Sequence, residues 1–269
     1  MEAKRILFVA QEITPYLPVS PMASLCRELP QAIQERGKEI RTFMPKFGTV
    51  NDRRNQLHEV IRLSGMNLVI NDIDHPLTIK VASIQTARMQ VYFIDNEDFF
   101  RRKGDIFDPE GNFYPDNDER SIFYVRGALE TIKKLRWIPH LVHSHGWFAA
   151  LTALYLRRMY VNDPCLKAAR TVYSVYDVDF KKSLSSTFVS KLLTDHAEKE
   201  DLKDLIKQPD FLSLNKLAIN FSDALIQGSP HIHPELLEYI QASGKPFIPY
   251  LPPENCFDAY DKLYDELLA

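Results

Sequence analysis

Ile6 to Ala10 is an apolar run of strand length, and a short turn later Ser20 and Pro21 open an amphipathic helix. Ser followed by Pro is a favoured N-cap and first-turn pair. A strand that feeds a turn and then a helix is the opening unit of an open α/β sheet, and its turn is where such sheets hold phosphate. Here the turn is unsuited to that task. Residues 16–22 contain no glycine and no lysine, and Pro18 and Pro21 remove two backbone N–H donors that could face an anion. Glycine is scarce throughout, 9 of 269 residues with no two within six positions, so no glycine-rich loop exists elsewhere to take over.

The rest of the chain alternates in the same way. Strands are predicted at Arg5 to Ala10 and Glu39 to Met44, separated by a helix from Met22 to Arg36 that Gly37 stops and Pro30 should kink or split. From Leu57 to Asp95 the pattern changes to short β segments, at Val60 to Leu63, Asn67 to Ile73, Leu77 to Ile84 and Met89 to Ile94. Gly65 and a His75-Pro76 turn break them, which predicts a small antiparallel insertion. Helix and strand then alternate again. Helices are expected at Asp118 to Leu135, Trp147 to Met159, Leu212 to Phe221 and Pro234 to Ala242. The strands between them are Leu141 to Ser144, Thr171 to Val175, Ala224 to Gln227 and Phe247 to Tyr250. The charged stretch Asp195 to Gln208 reads as a surface helix with Leu202, Leu205 and Ile206 as its apolar stripe. The fold class is therefore α/β, a Rossmann-like parallel sheet with helices on both faces and an antiparallel β insertion, in one domain over residues 1–269.

Composition narrows the function classes. A formal charge of −3 gives no field that favours nucleic acid or anionic membrane, and the basic clusters Arg53-Arg54, Arg101 to Lys103 and Lys133-Lys134 are short and separated by acids. Three scattered cysteines, Cys26, Cys165 and Cys256, fit a reducing compartment. With a strand starting at once and no apolar run longer than about half a membrane span, the expectation is a cytoplasmic chain with no membrane segment. His143-x-His145 and His231-x-His233 have metal-like spacing but no third ligand nearby, so no metal and no cofactor are expected. Asp116, Asp118 and Glu119 read as first-turn acids that complement a helix dipole.

Three segments together carry a resemblance. The first is the opening strand with Glu12, Pro15, Leu29-Pro30, Arg36-Gly37 and Met44-Pro45. The second runs from Val91 through Phe100, Asp108 to Gly111 and Tyr114 to Arg120, and the third is Leu141 to Trp147. In order and spacing, over roughly residues 4 to 230, they resemble the N-terminal domain of bacterial glycogen synthases and plant starch synthases. The resemblance implies one half of a GT-B glucosyltransferase, with an α-1,4-glucan as ligand.

The departures fall on functional positions. The Lys-Thr-Gly-Gly-Leu loop that contacts donor phosphates in that family corresponds to Pro18, Val19, Ser20, Pro21 and Met22. The family's His-Asp-Trp-His corresponds to His145, Gly146, Trp147 and Phe148, and its sugar-lining His-Asn pair to Tyr176 and Asp177. Family members also continue into a second domain that supplies a basic pair and a glutamate, and this chain ends first. The resemblance therefore implies a degenerate donor loop at Pro18, Ser20 and Pro21, no catalytic residue, and Glu12, Phe99, His145, Trp147, Tyr176 and Asp177 as candidates for glucan contact. Four readings follow: a glucan-binding or regulatory protein inactive alone, half of an enzyme completed by a separate donor-domain chain, a weak transferase acting by another route, and a structural partner of a full-length synthase. The closing helix, Phe257 to Leu268, should dock on the domain's own surface through Phe257, Tyr260, Leu263, Tyr264, Leu267 and Leu268.

Overall fold

The computed structural model describes residues 3–269. Its strands are β1 (Arg5–Ala10), β2 (Glu39–Pro45), β3 (His58–Glu59), β4 (Met66–Ile70), β5 (Ile73–Ile84), β6 (Met89–Asp95), β7 (Leu141–His145), β8 (Arg170–Val175), β9 (Ala224–Gln227) and β10 (Phe247–Ile248). Its α-helices are α1 (Pro21–Glu35), α2 (Glu97–Phe100), α3 (Asn117–Lys134), α4 (Thr152–Arg157), α5 (Phe188–Thr194), α6 (Lys203–Lys207), α7 (Phe211–Phe221), α8 (Pro234–Ala242) and α9 (Pro253–Leu267). The sheet order is β10-β9-β8-β7-β1-β2-β6-β5-β3, with β4 paired to β5. All neighbours from β10 to β6 are parallel, while β5 runs antiparallel to β6, and β3 and β4 antiparallel to β5. The expected parallel sheet with its antiparallel insertion is thus the observed one.

Residue alternation in the strands assigns the helices to faces. On β8, the Tyr173 hydroxyl donates to Asn215 Oδ1 of α7 at 2.7 Å, whereas the neighbouring Ser174 hydroxyl lies 2.7 Å from His143 Nε2. Successive strand residues point to opposite faces. The other nitrogen of His143 lies 2.6 Å from the Tyr264 hydroxyl of α9, so α9 and α7 cover opposite faces. Both faces being covered explains why the inner strands are buried almost throughout, with Ile6 to Ala10 and Leu141 to His145 no more than 2% exposed. The closing helix docks as anticipated: Cys256, Tyr260, Leu263 and Tyr264 are buried, with Phe257, Leu267 and Leu268 packed partly against the core. Lys38 holds Asp261 and Asp265 at 2.6 and 2.9 Å, and Arg36 pairs with Asp258.

Several local expectations are corrected. Helix α1 is not split at Pro30, which is buried on its inner face among Leu29, Ala32 and Ile33. Its Ser20 cap accepts from the Ala23 N–H as the sequence suggested. His75 and Pro76 lie inside β5 rather than in a turn, and the reversal is made by Asn71 and Asp72, both at positive φ (53° and 61°). Such a two-residue turn matches strand twist and tolerates Asn and Asp, a signal that the proline obscured. Val60 to Leu63 forms a turn after β3 rather than a strand. Trp147 to Met159 divides into a 3-10 turn at Trp147–Ala149 and the short α4. Asp195 to Gln208 is helical only over α6, with Leu202 and Leu205 buried and Ile206 half exposed. Asp118 does more than complement a dipole, since it is fully buried and takes Lys191 Nζ at 2.6 Å.

Candidate functional site

The chain leaves β1 towards β2 on one side, and β7 later inserts on the other, so the order reverses between β1 and β7. In open α/β sheets that point, at the carboxyl ends of the strands, is where ligands bind. Here it gathers Gln11 and Glu12 after β1, Gly146 and Trp147 after β7, Tyr176 and Asp177 after β8, Gly228 and Ser229 after β9, and Ser20 to Met22 at the start of α1. Two clefts flank the first turn of α1. One of about 220 Å³ is lined by Ser20, Pro21, Tyr176, Asp177, Ser229 and His231 among others. The second, about 430 Å³, continues past Val19 and Leu25 to Tyr250, Leu251 and Tyr260. Neither lining includes a lysine or an arginine. A larger groove, about 720 Å³, lies elsewhere, along the amino ends of β2 and β6.

The start of α1 is already satisfied by the chain itself. The Ser20 hydroxyl accepts from the Ala23 N–H at 2.9 Å and donates to Glu12 Oε2 at 2.7 Å, while Gln11 Nε2 lies 3.4 Å from Glu12 Oε1. A carboxylate thus stands at the positive end of the helix, where the dipole favours an anion. Burial raises the Glu12 pKa above its ordinary value; the Ser20 and Gln11 bonds oppose this, and the charge of Asp105 adds to it. A phosphate approaching this turn would meet a negative charge, one capped donor and two prolines.

The remaining candidates are placed as follows. His145 is fully buried, its Nδ1 2.9 Å from the Tyr176 hydroxyl, and its ring centroid lies 3.8 Å from that of His143. Desolvation lowers the His145 pKa to about 3, and burial followed by the neighbouring His145 drives His143 well below its ordinary value. Both rings are therefore neutral at pH 7. Tyr176 is buried with its hydroxyl pKa pushed well up by desolvation. Trp147, 1% exposed, packs on Phe180 with ring centroids 4.5 Å apart and on Phe113 at 6.0 Å. Phe99 sits apart from these, against His75 at 4.5 Å and Phe123 at 5.4 Å. Asp177 is exposed and Glu12 half-buried, and Pro18 and Pro21 are exposed. Position at the strand ends therefore brings together Glu12, His145, Trp147, Tyr176 and Asp177 but not Phe99, and solvent reaches mainly Glu12 and Asp177.

Sequence reasoning missed the groups that hold this arrangement. Gly146 adopts φ +79°, and a Cβ there would come 2.8 Å from Gln11 Oε1 and 2.9 Å from Met22 Cε. Gly228 lies under the Tyr176 ring, 2.6 Å from where a Cβ would stand. With glycine so rare, one just after β7 and one just after β9 were the available signal. Gln11 Oε1 accepts from the Phe148 N–H at 3.2 Å, tying the β1 and β7 ends together. Among the described residues no cluster of His, Cys, Asp and Glu is arranged to hold a metal ion, and no helix is long and apolar enough to cross a membrane.

Comparison with known proteins agrees with this fold. The family described as starch synthase catalytic domain matches residues 5–245. A glycogen synthase from Chlorobium phaeobacteroides is 33% identical over 222 residues, covering 82% of this chain and 45% of that protein. One from Chlorobaculum tepidum is 32% identical over 235 residues, covering 87% and 47%. The chain thus spans a little under half the length of these relatives. The catalytic domain of starch synthase IV from Arabidopsis thaliana, solved bound to ADP and acarbose, superposes with a TM-score of 0.71 at 19% identity over 93% of this chain and 52% of that one, a likeness of fold.

Proposed function

Because the chain belongs to the glycogen and starch synthase family, we propose that it is an acceptor-side member of that family, one domain over residues 1–269, that transfers no glucose by itself. Its role in α-1,4-glucan metabolism is glucan binding or regulation. The observation that carries this reading is the Glu12–Ser20 contact at the start of α1. Glucosyl transfer from a nucleotide sugar develops charge on a leaving diphosphate, and a site must hold donors or cations ready for it. The turn before α1 offers a carboxylate and two prolines instead, and the flanking clefts carry no lysine or arginine. Completion by a separate donor-domain chain is the less favoured reading, because this turn belongs to the half in hand.

The test is an assay of the purified chain with ADP-glucose or UDP-glucose and a maltooligosaccharide acceptor, alongside calorimetric titration with ADP and with maltoheptaose. The expected result is no turnover above the enzyme-free control, no saturable ADP binding in the millimolar range, and saturable maltoheptaose binding. Turnover abolished by Glu12→Ala, or saturable ADP binding, would overturn it.

A further inference from the structure

Residues 177–187 cross the carboxyl ends of β7 and β8 without forming strand or helix, and of these eleven residues only Phe180 and Leu184 are buried. Besides the bonds that the Ser185 and Thr187 carbonyls accept from α5, two backbone contacts hold the segment, the Asp177 N–H to Ser229 Oγ at 3.1 Å and the Leu184 N–H to the Pro209 carbonyl at 2.7 Å. Between them the Phe180 ring stacks on Phe113, with centroids 5.1 Å apart and an 18° interplanar angle, and covers Trp147. Beside the strap, an open cavity of about 260 Å³ is lined by Asp179, Phe180 and Lys181 on one side and by Asp210, Phe211 and His233 on the other.

A second observation concerns the indole that this aromatic stack covers. Trp147 Nε1 is buried without a hydrogen-bond partner. A buried polar atom left unpaired is costly. A ligand rich in hydroxyl groups could accept from that N–H and present a ring face to the indole.

We infer that the 177–187 strap is a gate with Phe180 as its plug. In the closed form Phe180 and Phe113 shield Trp147; in the open form Phe180, already edge-on to Phe211 at 5.8 Å, moves further into the cavity, and the Trp147 nitrogen becomes reachable by a sugar. This rests on the reading of the chain as a glucan-binding protein, and it adds the regulation of that site. Binding is then reduced by the fraction of molecules that are open.

The chain has two tryptophans, so Trp137→Phe leaves Trp147 as the only indole. In that background, acrylamide quenching of Trp147 should be weak and should rise several-fold in Phe180→Ala, while Phe180→Leu, which keeps most of the apolar fill, should fall between. Maltoheptaose should bind Phe180→Ala about tenfold or more tightly than the unsubstituted chain, because the closed population no longer competes. Hydrogen exchange on the unsubstituted protein guards against variants that unfold. Amides of 182–187 should exchange through local opening, faster than those of β8. Unchanged quenching in a folded Phe180→Ala, or strap amides that exchange only with global unfolding, would overturn the gate. Increased quenching and local exchange without maltoheptaose binding would leave the gate standing and remove the glucan reading on which its purpose rests.

Discussion

The Tyr264 hydroxyl of α9 lies 2.6 Å from Nδ1 of His143 in the middle of β7, with both residues fully buried. The other ring nitrogen lies 2.7 Å from Ser174 Oγ on β8. This chain of three side chains fastens the last helix to the sheet, and it has a measurable consequence. Tyr264→Phe keeps the ring but leaves a buried imidazole nitrogen without its partner, which costs about 1–3 kcal/mol. A thermal melt should drop by several degrees. Deletion of residues 256–269 should lower it further and raise ANS binding, since Tyr260, Leu263 and Tyr264 leave the sheet bare; a melt unchanged by the deletion would mean that the docked helix adds nothing to stability.

Acid should destabilise the fold from near neutrality downwards. His143 and His145 are buried neutral, with pKa values held below the ordinary value by desolvation. Between the ordinary histidine pKa of about 6.5 and the lowered folded values, the unfolded chain binds more protons than the folded one, so stability is full above that range and is lost as pH falls through it. Each ring contributes a slope of up to about 1.4 kcal/mol per pH unit in that window. Glu12 and Asp195, whose pKa values are raised chiefly by burial, act in the opposite sense. Their contribution is present below the ordinary carboxyl pKa and fades as pH rises through the folded values, so it offsets part of the loss only at the acid end. Urea titrations from pH 7 to 5 should show the decline, and His145→Gln should shallow it.

Much of the fold could be read from residue order, because β1, α1, β2 and β6 to β9 announce themselves through apolar runs bounded by caps and turn residues. Strand ends were legible for the same reason, which is why Glu12, His145 and Tyr176 could be assigned to the ends of β1, β7 and β8. What the sequence concealed was set by contacts between distant residues. His143 meets Tyr264 across 121 positions, and Trp147 is covered by Phe113 and Phe180 from two separate loops. Local pattern also misled where one residue outweighed its neighbours. Pro76 looked like a break, yet it pairs with Asn67 inside the β4–β5 hairpin. Phe99 shared a motif with the site but packs in the separate cluster around His75.

Gly146→Ala should destabilise the fold although it adds a single methyl. The added carbon must fit a φ of +79° and stand 2.8 Å from Gln11 Oε1. Strain in a conformation that side chains disfavour costs about 1–3 kcal/mol before any displacement of Gln11 is counted. The test is chemical denaturation, and a midpoint equal to that of the unsubstituted chain would show that β1 and β7 can move apart freely.

Trp147→Ala removes one of the largest fully buried side chains, and such truncations cost about 3–5 kcal/mol. If the indole also contacts glucan, maltoheptaose affinity in the fraction that remains folded should fall as well. Loss of stability with affinity intact would identify Trp147 as packing alone.

Asp195 anchors a buried cluster, accepting from Arg126 at 3.0 Å and from the Tyr155 hydroxyl at 2.7 Å. Asp195→Ala strands a largely buried guanidinium, and breaking one side of such a pair costs about 3–5 kcal/mol. Replacing Tyr155 by Phe should cost less, because Arg126 keeps its partner. Equal losses would mean that the hydroxyl, rather than the charge pair, sets the stability of this region.

The fastening of Tyr264 to His143 also orders events during synthesis. At roughly 5–20 residues per second, the 121 residues between them take on the order of ten seconds to translate. In the part of that interval after β8 is made, β1, β7 and β8 can assemble while their α9-facing side, including His143 and Ser174, is still open to water or to chaperones. The nascent sheet must therefore tolerate a wet polar seam through its centre that the finished protein never shows.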